Sequence, residues 1–163
     1  MQIGVVSDTH NNLKNIEVII SIFNKEKVPV VIHTGDIANA NSLKKFSQLN
    51  SKLIGVYGNN DRHEKGIKEI AESNNFLFQD PPKILNLLNR NIAIFHEPDE
   101  IEDFLLRNKK IDIVIHGHTH RYRNETKKDI LFFNPGECAG MRTGSNAIGI
   151  IDLRELTARR IFF

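Results

Sequence analysis

Seven short apolar runs, rich in valine and isoleucine, alternate along this chain with amphipathic stretches. Near-continuous apolar runs are typical of strands that are covered on both faces, because a half-exposed strand alternates apolar with polar residues. The sequence therefore predicts sheets that are buried beneath other layers. The runs are Ile3–Val6, Val28–Ile32, Leu53–Tyr57, Ile92–Phe95, Ile111–Ile115, Ile130–Phe133 and Ala147–Ile151.

Several of the stretches between the runs have apolar residues at helical spacing. The first of them predicts a helix that begins at Asn11 or Asn12, since asparagine is a preferred N-cap. A second helix is expected after Asn41, and a later one is expected to have Pro98–Glu100 as its first turn. The apolar positions are Leu13, Ile16, Ile19 or Ile20, Phe23, Leu43, Phe46, Leu49, Ile101, Phe104 and Leu105.

The order of elements predicts the fold class. The first half alternates strand and helix, which favours a right-handed, largely parallel sheet. The second half contains more strands, with a hairpin turn expected at Asn89–Asn91, a solvated hairpin tip at Arg121–Asp129 and a closing antiparallel pair around Asp152–Glu155. We therefore predict an α/β fold of two packed mixed β-sheets flanked by helices, a four-layer α-β-β-α sandwich.

Composition narrows the class of protein. A chain of 163 residues fits a single domain, residues 1–163. The lone cysteine, Cys138, cannot form an internal disulfide, so a cytoplasmic location is expected, and the N-terminus has no basic and apolar leader pattern. No apolar run approaches the roughly 18 residues of a membrane span. The net charge of +2 gives no strong indication of nucleic-acid binding.

Polar side chains of the metal-ligand type follow five of the apolar runs. Because the carboxyl ends of parallel strands meet at one edge of a sheet, these side chains are expected to converge there. Gly35, Gly58 and Gly117 each precede a candidate, where a residue without Cβ permits a close backbone approach. Pairs two residues apart are expected to point the same way on an extended segment. The candidates are Asp8, His10, Asp36, Asn59, His96, His118 and His120.

Five motifs in this order resemble those of the calcineurin-like metallophosphoesterases, whose pattern is D-x-H, G-D, G-N, a lone H and G-H-x-H. This chain has Asp8-Thr9-His10, Gly35-Asp36, Gly58-Asn59, His96 and Gly117-His118-Thr119-His120, and Asn134-Pro135-Gly136 is similar to a turn found late in small members. Each motif alone is weak evidence for the family. All five in this order, each at the end of a predicted strand, are specific evidence for it.

The resemblance implies a dinuclear, metal-dependent phosphodiesterase, a phosphoric diester hydrolase in which a metal-bridging hydroxide attacks phosphorus in line. It implies two divalent transition-metal ions, with Mn²⁺ favoured and Ni²⁺, Co²⁺, Fe²⁺ or Zn²⁺ as alternatives. The substrate would be a small phosphodiester. One ion would be held by Asp8, His10, Asp36 and His120, and the other by Asp36, Asn59, His96 and His118.

Three positions depart from the family pattern. Asn60 stands where many relatives have the histidine that is proposed to protonate the leaving group, and an amide cannot titrate, although it can donate to a phosphoryl oxygen. We count Asn60 with Asp36 and His96 as catalytic candidates. Glu97 and Glu137 replace a glycine and a serine; each either narrows the site, orients a ligand histidine or is a solvated loop residue.

Other residues are assigned supporting roles. His33 and His116 precede glycines on buried strands and are expected to support the site, Cys138 is expected to be structural, and Arg142 either contacts phosphate or lies on the surface. His63 is one source of the proton for the leaving group, and a metal-bound water is another.

Two rival functions remain. The first is a non-catalytic protein–protein scaffold, for which the retromer subunit with this fold is the precedent, although that lineage has lost ligands that stand here. The second is a nuclease, which the absence of a basic aromatic stripe disfavours. The terminal Ile161–Phe163 is compatible with a homo-oligomer contact, with an edge strand or with core packing.

Overall fold

A computed structural model describes residues 1–108 and 110–163 of the chain. Eleven strands and four α-helices lie within these ranges, and a short 3-10 turn, Phe46–Gln48, continues the second helix. In chain order the elements are β1 (Gln2–Val6), α1 (Leu13–Glu26), β2 (Val30–His33), α2 (Ala40–Lys45), β3 (Lys52–Val56), α3 (Ile67–Ser73), β4 (Leu77–Gln79), β5 (Lys83–Leu87), β6 (Arg90–Ile94), α4 (Ile101–Arg107), β7 (Ile113–Ile115), β8 (Arg123–Lys127), β9 (Ile130–Asn134), β10 (Ala147–Asp152) and β11 (Thr157–Phe162).

The first sheet has six strands in the order β11-β10-β1-β2-β3-β4. Strands β1 to β4 are parallel, as the alternation of strand and helix predicts, and β10 and β11 are added antiparallel beyond β1. The register pairs Val6 with His33, so β1 and β2 end level with each other. The loops that follow them therefore leave the sheet at the same edge.

The second sheet has five strands in the order β5-β6-β7-β9-β8. Its three central strands are parallel, while β5 and β8 pair antiparallel at the two edges. Ile94 pairs with Ile115, so β6 and β7 also end level. Both sheets are mixed, which agrees with the fold class predicted from the sequence.

Three apolar clusters separate four layers. The alternation of side chains along a strand explains how one strand serves two clusters: Val5 faces the space between the sheets, and Val6 faces the helices. The cluster between the sheets joins β1–β3 to β6, β7 and β9, for example through Ile32 and Ile94. Helices α1–α3 cover the outer face of the first sheet, and α4 covers that of the second through Ile101.

The helix caps differ in part from expectation. Asn12 caps α1, and its side chain accepts from the Asn15 backbone N–H, as the sequence predicts. Helix α2 begins at Ala40, before Asn41, because the Asn39 side chain accepts from the Ser42 N–H 2.9 Å away. Pro98–Glu100 precede α4 instead of forming its first turn.

Two turn expectations are also corrected. Arg90 and Asn91 lie in β6, because the hairpin turns at Leu88 and Asn89, whose φ angles of +50° and +58° suit a tight two-residue connection. Most of the segment 121–129 is strand β8, an exposed edge strand, and only its end forms the turn. The structure contains, within the described residues, no helix that is long and apolar enough to cross a membrane.

Candidate metal centre

Loops at the carboxyl ends of five strands bring all seven candidate ligands together. Asp8 and His10 follow β1, Asp36 follows β2, Asn59 follows β3, His96 follows β6, and His118 and His120 follow β7. The two sheets therefore both contribute candidate ligands to the same end of the sandwich. Asp8 and His96 are fully buried, Asp36 and His120 are almost so, and Asn59 and His118 are exposed.

One group of donors consists of Asp8, His10 and His120, whose ligand atoms all lie within 4.8 Å of one another. His120 Nε2 is 3.6 Å from Asp8 Oδ1. The rings of His10 and His120 lie with their centroids 5.6 Å apart. These three residues belong to the first of the two predicted ligand sets, and the fourth member of that set, Asp36, lies beside Asp8 in the neighbouring group.

A second group is formed around His96. Its Nε2 lies 2.9 Å from Asn59 Oδ1, 3.3 Å from His118 Nδ1 and 3.4 Å from Asp36 Oδ1. His118 Nδ1 is itself 3.1 Å from Asn59 Oδ1. The four residues are those of the second predicted ligand set, and Asp36 stands between the two groups.

Two histidine tautomers follow from hydrogen bonds behind the site. His96 Nδ1 is 2.9 Å from the Thr34 carbonyl oxygen and His120 Nδ1 is 3.0 Å from Glu137 Oε2, so each Nδ1 carries the proton that it donates. The Nε2 of each ring then presents a lone pair to the other candidate ligands. A metal-binding histidine usually has this kind of support on its second nitrogen.

The donor set fits divalent cations. The lone pair on His96 Nε2 faces the Asn59 carbonyl oxygen at 2.9 Å, an arrangement that a shared cation stabilises. Asp8 Oδ1 and His10 Nε2 are buried without a hydrogen-bond partner among the described residues. Burial also raises the pKa of Asp8, although the Ser7 hydroxyl donates to it, so its ionised form needs nearby positive charge. Mixed oxygen and nitrogen donors suit first-row transition metals.

The backbone at the ligands is unusual. Five of the seven have positive φ angles between +47° and +64°, a region that few residues other than glycine adopt. The expectation that paired ligands share an extended segment is therefore wrong, because the chain turns at each of them. His118 faces His96 whereas His120 faces Asp8. The five residues are Asp8, His10, Asp36, His118 and His120.

Two glycines permit the close approach of the loops. A Cβ on Gly58 would collide with the Asp36 carboxylate, and a Cβ on Gly35 would lie 2.6 Å from the Gly58 nitrogen and 2.9 Å from His96 Nδ1. The loops after β2, β3 and β6 thus pack with almost no space between them. This agrees with the sequence-based expectation that glycines precede ligands for steric reasons.

Asp61 supports the site in a way that the motif comparison missed. Its buried carboxylate accepts from the backbone N–H groups of Ile37, Ala38 and Gly58, each 2.8 Å away, and so ties the loop of Asp36 to the loop of Asn59. Burial raises its pKa, which these three hydrogen bonds oppose. Its partners are backbone N–H groups, which every residue except proline supplies, so no side-chain motif in the sequence marks this role.

His33 and His116 lie behind the ligands, as expected. The Gly35 N–H donates to His33 Nδ1, so His33 Nε2 carries the proton and lies 3.0 Å from Thr9 Oγ1. Burial lowers the pKa of His33 to about 3 and that of His116 to about 4. Both rings are neutral supports.

The remaining predicted residues divide between the site and the surface. Asn60 lines the cavity, and its side-chain amide donates to Asp36 Oδ2, 2.8 Å away. Glu137 is buried against His120, whereas Glu97 faces Arg62 at 3.7 Å, outside the residues that line the cavity. His63 is exposed and is also absent from that lining.

Cys138 is buried and lies behind the site. Its thiol donates to the Ala147 carbonyl oxygen, and burial raises its pKa, so it is an unreactive structural residue.

The Asn134 side chain of the N-P-G turn donates to the Gly117 carbonyl oxygen and accepts from the Gly136 N–H. It therefore braces the loop that carries His118 and His120.

The ligands open into a cavity of about 240 Å³. This is smaller than the roughly 300–1,000 Å³ of sites that enclose a drug-sized ligand. The cavity is lined by His10, Asp36, Asn59, Asn60, His118, His120, Met141 and Arg142.

The fold and the site together define a class: a two-sheet α/β sandwich with carboxylate, amide and imidazole donors gathered at one end. Comparison with known families agrees, since the model of the calcineurin-like phosphoesterase superfamily domain matches residues 1–156. The chain belongs to this family, which confirms the family and the fold class predicted from its motifs.

Two relatives with known names are similar along most of their length. Phosphodiesterase MJ0936 from Methanocaldococcus jannaschii is 39% identical over 166 residues, which covers 99% of this chain and 98% of the relative. A probable metallophosphoesterase of the same organism is 30% identical over 138 residues, covering 83% of this chain and 67% of the relative.

Solved structures show the same architecture. A structure described as a novel archaeal phosphodiesterase superposes with a TM-score of 0.92 at 37% identity and full coverage of both chains. Vps29 from Entamoeba histolytica, solved with Zn²⁺, superposes with a TM-score of 0.72 at 16% identity, covering 99% of each chain. At that identity the second likeness concerns the fold alone.

Proposed function

We propose that this protein is a dinuclear metal-dependent phosphodiesterase that hydrolyses a small phosphodiester. The observation that carries the proposal is the convergence of seven oxygen and imidazole donors at one end of the two sheets, where five of them line one small cavity. Asp8 Oδ1 and His10 Nε2 are buried there and have no hydrogen-bond partner among the described residues. Relatives named as phosphodiesterases at 37–39% identity support the choice of a diester over other phosphate esters.

Two sets of residues would hold the ions, with Asp36 shared because a carboxylate has two oxygens. The ions, when bound, would lower the pKa of a water molecule so that hydroxide attacks phosphorus in line. We favour Mn²⁺, with Fe²⁺, Co²⁺, Ni²⁺ and Zn²⁺ as alternatives. The sets are Asp8, His10, Asp36 and His120, and Asp36, Asn59, His96 and His118.

The protein's own groups orient these donors. Thr34 and Glu137 fix the tautomers of His96 and His120, so that both rings direct Nε2 into the centre. The backbone N–H and side-chain amide of Asn60 both donate to Asp36, at 3.0 and 2.8 Å. In this structure Asn60 thus holds the Asp36 carboxylate in place, and it also lines the cavity, where its amide could donate to a phosphoryl oxygen of a bound substrate.

Charge favours an anionic substrate at this centre. The carboxylates of Asp8 and Asp36 contribute −2 and two divalent ions would contribute +4, which leaves +2 before hydroxide binds. Such a site attracts a phosphate anion and stabilises the charge that develops during attack. A nearly neutral chain composition is therefore compatible with an anionic substrate.

The activity is assigned to a single domain in the cytoplasm. The cluster between the sheets contains residues from β1 to β10, so it depends on nearly the whole chain, which supports one folding unit.

The lone cysteine, Cys138, is buried and unpaired among the described residues, which is consistent with a reducing compartment and supports the cytoplasmic location. Phe162 at the exposed edge strand β11 is 59% exposed, which is compatible with a contact between copies.

The test is turnover by metal-free protein that has been reconstituted separately with each of the five metals. We expect hydrolysis of bis-(p-nitrophenyl) phosphate to exceed that of p-nitrophenyl phosphate with at least one metal. Asp36→Ala should reduce turnover at least about 100-fold and deplete both ions, because it removes the shared ligand. Glu155→Ala, an exposed carboxylate in the turn after β10, is the control and should retain activity.

The outcomes separate the proposal from the scaffold hypothesis. Stoichiometric binding of metal without hydrolysis of either ester, for all five metals, would overturn the enzyme and favour a scaffold. Full metal content in Asp36→Ala would instead refute the shared carboxylate. Tight binding of single-stranded DNA that competes with the diester would favour a nuclease.

A further inference from the structure

An exposed segment, residues 139–145, lies along one side of the metal cavity. Met141 and Arg142 line the cavity beside His10 and His120, although residues 141–145 are exposed to solvent. The segment follows the N-P-G turn and leads into β10. Its conformation therefore decides which side chain meets a substrate at the metal centre.

The start of this segment is fixed to the first sheet and to α1. The Cys138 N–H donates to the Ser7 carbonyl oxygen at the end of β1, 3.2 Å away. The side-chain amides of Asn12 and Asn15 donate to the carbonyl oxygens of Ala139 and Cys138, at 3.3 and 2.7 Å. These bonds anchor the segment only as far as residue 139.

Glu137 holds the exposed part. Its carboxylate, 1% exposed, accepts from the backbone N–H groups of Met141, Arg142 and Thr143 and from the Thr143 hydroxyl. The same carboxylate accepts from His120 Nδ1. Although burial opposes its ionisation, these hydrogen bonds, led by that from Thr143, lower its pKa to about 2. One buried carboxylate thus joins a candidate metal ligand to the segment.

Arg142 is the cationic side chain that the segment brings to the cavity. Among the described residues that line the cavity, the histidines are candidate metal ligands, and the Asn60 amide already donates to Asp36. Arg142 is therefore the lining side chain that is left to bind an anion by its charge. Of the other eight arginines of the described chain, four pair with a carboxylate within 4.0 Å, as Arg90 does with Asp112, and four do not. The guanidinium of Arg142 has no such partner among the described residues, and Arg142 differs from the other unpaired arginines in lining the cavity. Its planar fork suits two phosphate oxygens.

We infer that Arg142 binds the phosphate anion of the substrate, and that Glu137 is the positioning residue that places Arg142 and His120 together. The inference rests on the proposed function for the identity of the substrate. It assigns to Glu137, one of the departures from the family pattern, a role that a serine could not fill, because a serine lacks a second oxygen to bridge ligand and segment.

The first experiment measures binding of inorganic phosphate to metal-loaded protein by calorimetry. Arg142→Ala should weaken the affinity about 10- to 100-fold, as expected for loss of a charge-assisted contact, with metal content unchanged. Arg142→Lys should restore part of the affinity. Arg154→Ala, an exposed arginine in the β10–β11 turn at the opposite end of the sheet, should bind phosphate like the wild type.

The second experiment follows amide hydrogen exchange of residues 138–145 in metal-free protein. Glu137→Gln should speed exchange at residues 141–143, because an amide NH₂ replaces one acceptor oxygen. It should also weaken metal binding about 10- to 100-fold through His120 and weaken phosphate binding as Arg142→Ala does. Glu97→Gln is the matched control, since this half-exposed glutamate contacts Arg62 outside the cavity.

Phosphate binding and exchange do not require turnover, so the two proposals fail separately. Wild-type affinity in Arg142→Ala would overturn the role of Arg142, and unchanged exchange in Glu137→Gln would overturn that of Glu137, even if the diester is hydrolysed. Conversely, the expected results in a protein that hydrolyses no ester would leave this inference standing and refute the phosphodiesterase.

Discussion

At the residue scale, the candidate ligands combine two properties. Asp8, Asp36 and His120 are metal-ligand types that also adopt positive φ angles, here +50°, +57° and +59°. Asparagine, aspartate and histidine are enriched in this region, whereas a β-branched residue there is strained. Their side chains therefore supply ligand atoms, and their backbones turn tightly enough to keep those atoms together. The sequence shows the residue types, but not the turns.

His33 provides a prediction about pH at the same scale. Burial lowers its pKa from 6.5 in the unfolded chain to about 3, so the unfolded state binds a proton that the folded state excludes. Stability contributed by the neutral ring is fully present above about pH 6.5 and is lost as the pH falls towards 3. The loss should reach about 1.4 kcal/mol per pH unit in this window.

The measurement is denaturant unfolding of metal-free protein between pH 7 and pH 4. His33→Gln cannot titrate, so its free energy of unfolding should depend less steeply on pH than that of the wild type, by up to one proton. The same variant should be less stable at pH 7, because the hydrogen bonds to Gly35 and Thr9 are disturbed. An identical slope for both proteins would contradict a buried neutral His33.

At the element scale, apolar runs located the central strands well and the edges poorly. Strands β1, β7 and β9 lie within or next to predicted runs because both of their faces are buried. Strand β4 went unpredicted because Leu77–Gln79 is a three-residue edge strand with exposed side chains. Strand β8 is polar for the same reason. An apolar run indicates a buried strand, so a strand at an exposed edge of a sheet has no such run by which it could be predicted.

The same limit applies to the site. The motifs located the candidate ligands at strand ends, and the structure brings these residues together. Asp61 and Glu137 act on backbone N–H groups, and those of Ile37 and Ala38 lie 24 and 23 residues from Asp61 in sequence. Any residue but proline supplies an N–H, so no side-chain pattern marks such partners. For the role of Glu137 the sequence left several alternatives open, and its hydrogen bond with His120 Nδ1 agrees with the one in which it orients a candidate ligand histidine.

The link between two loops through Asp61 gives a prediction at this scale. Asp61→Asn places an amide NH₂ against backbone donors and should destabilise the fold by about 1–3 kcal/mol. It should also weaken metal binding, because Ile37 and Ala38 directly follow Asp36 and Gly58 precedes Asn59. Metal content after dialysis and thermal unfolding would measure the two effects.

Asp112→Asn is the matched control for that variant. Asp112 accepts from the Asn91 N–H at 2.8 Å and lies 3.4 Å from Arg90, at the far end of the second sheet from the metal centre. Its loss should lower stability but leave metal affinity unchanged. Equal loss of metal in both variants would mean that the effect of Asp61 is only a general loosening of the fold.

At the scale of the whole molecule, the candidate metal centre lies where the two sheets meet. Asp8, Asp36 and Asn59 lie in loops that follow strands of the first sheet. His96, His118 and His120 lie in loops that follow strands of the second sheet. Elsewhere the described sheets meet mainly through the apolar cluster that contains Ile32 and Ile94. Ions bound here would connect the layers at the end where that cluster gives way to polar residues. Such ions would couple the site to the stability of the fold, since they would bind the folded state far better than the unfolded one.

Chelation should accordingly destabilise the whole molecule. Metal at a concentration 100 times its dissociation constant adds about 2.7 kcal/mol to stability for each ion bound. For a chain of this size, that corresponds to a rise in Tm of roughly 5–11 °C. Hydrogen exchange should slow in both β1 and β7 when metal binds, because the ligands lie at the ends of both strands. Asp36→Ala should show neither effect. If metal slows exchange only in the loops and leaves Tm unchanged at full occupancy, the centre does not stabilise the packing of the two sheets, and the loops alone bear the coupling.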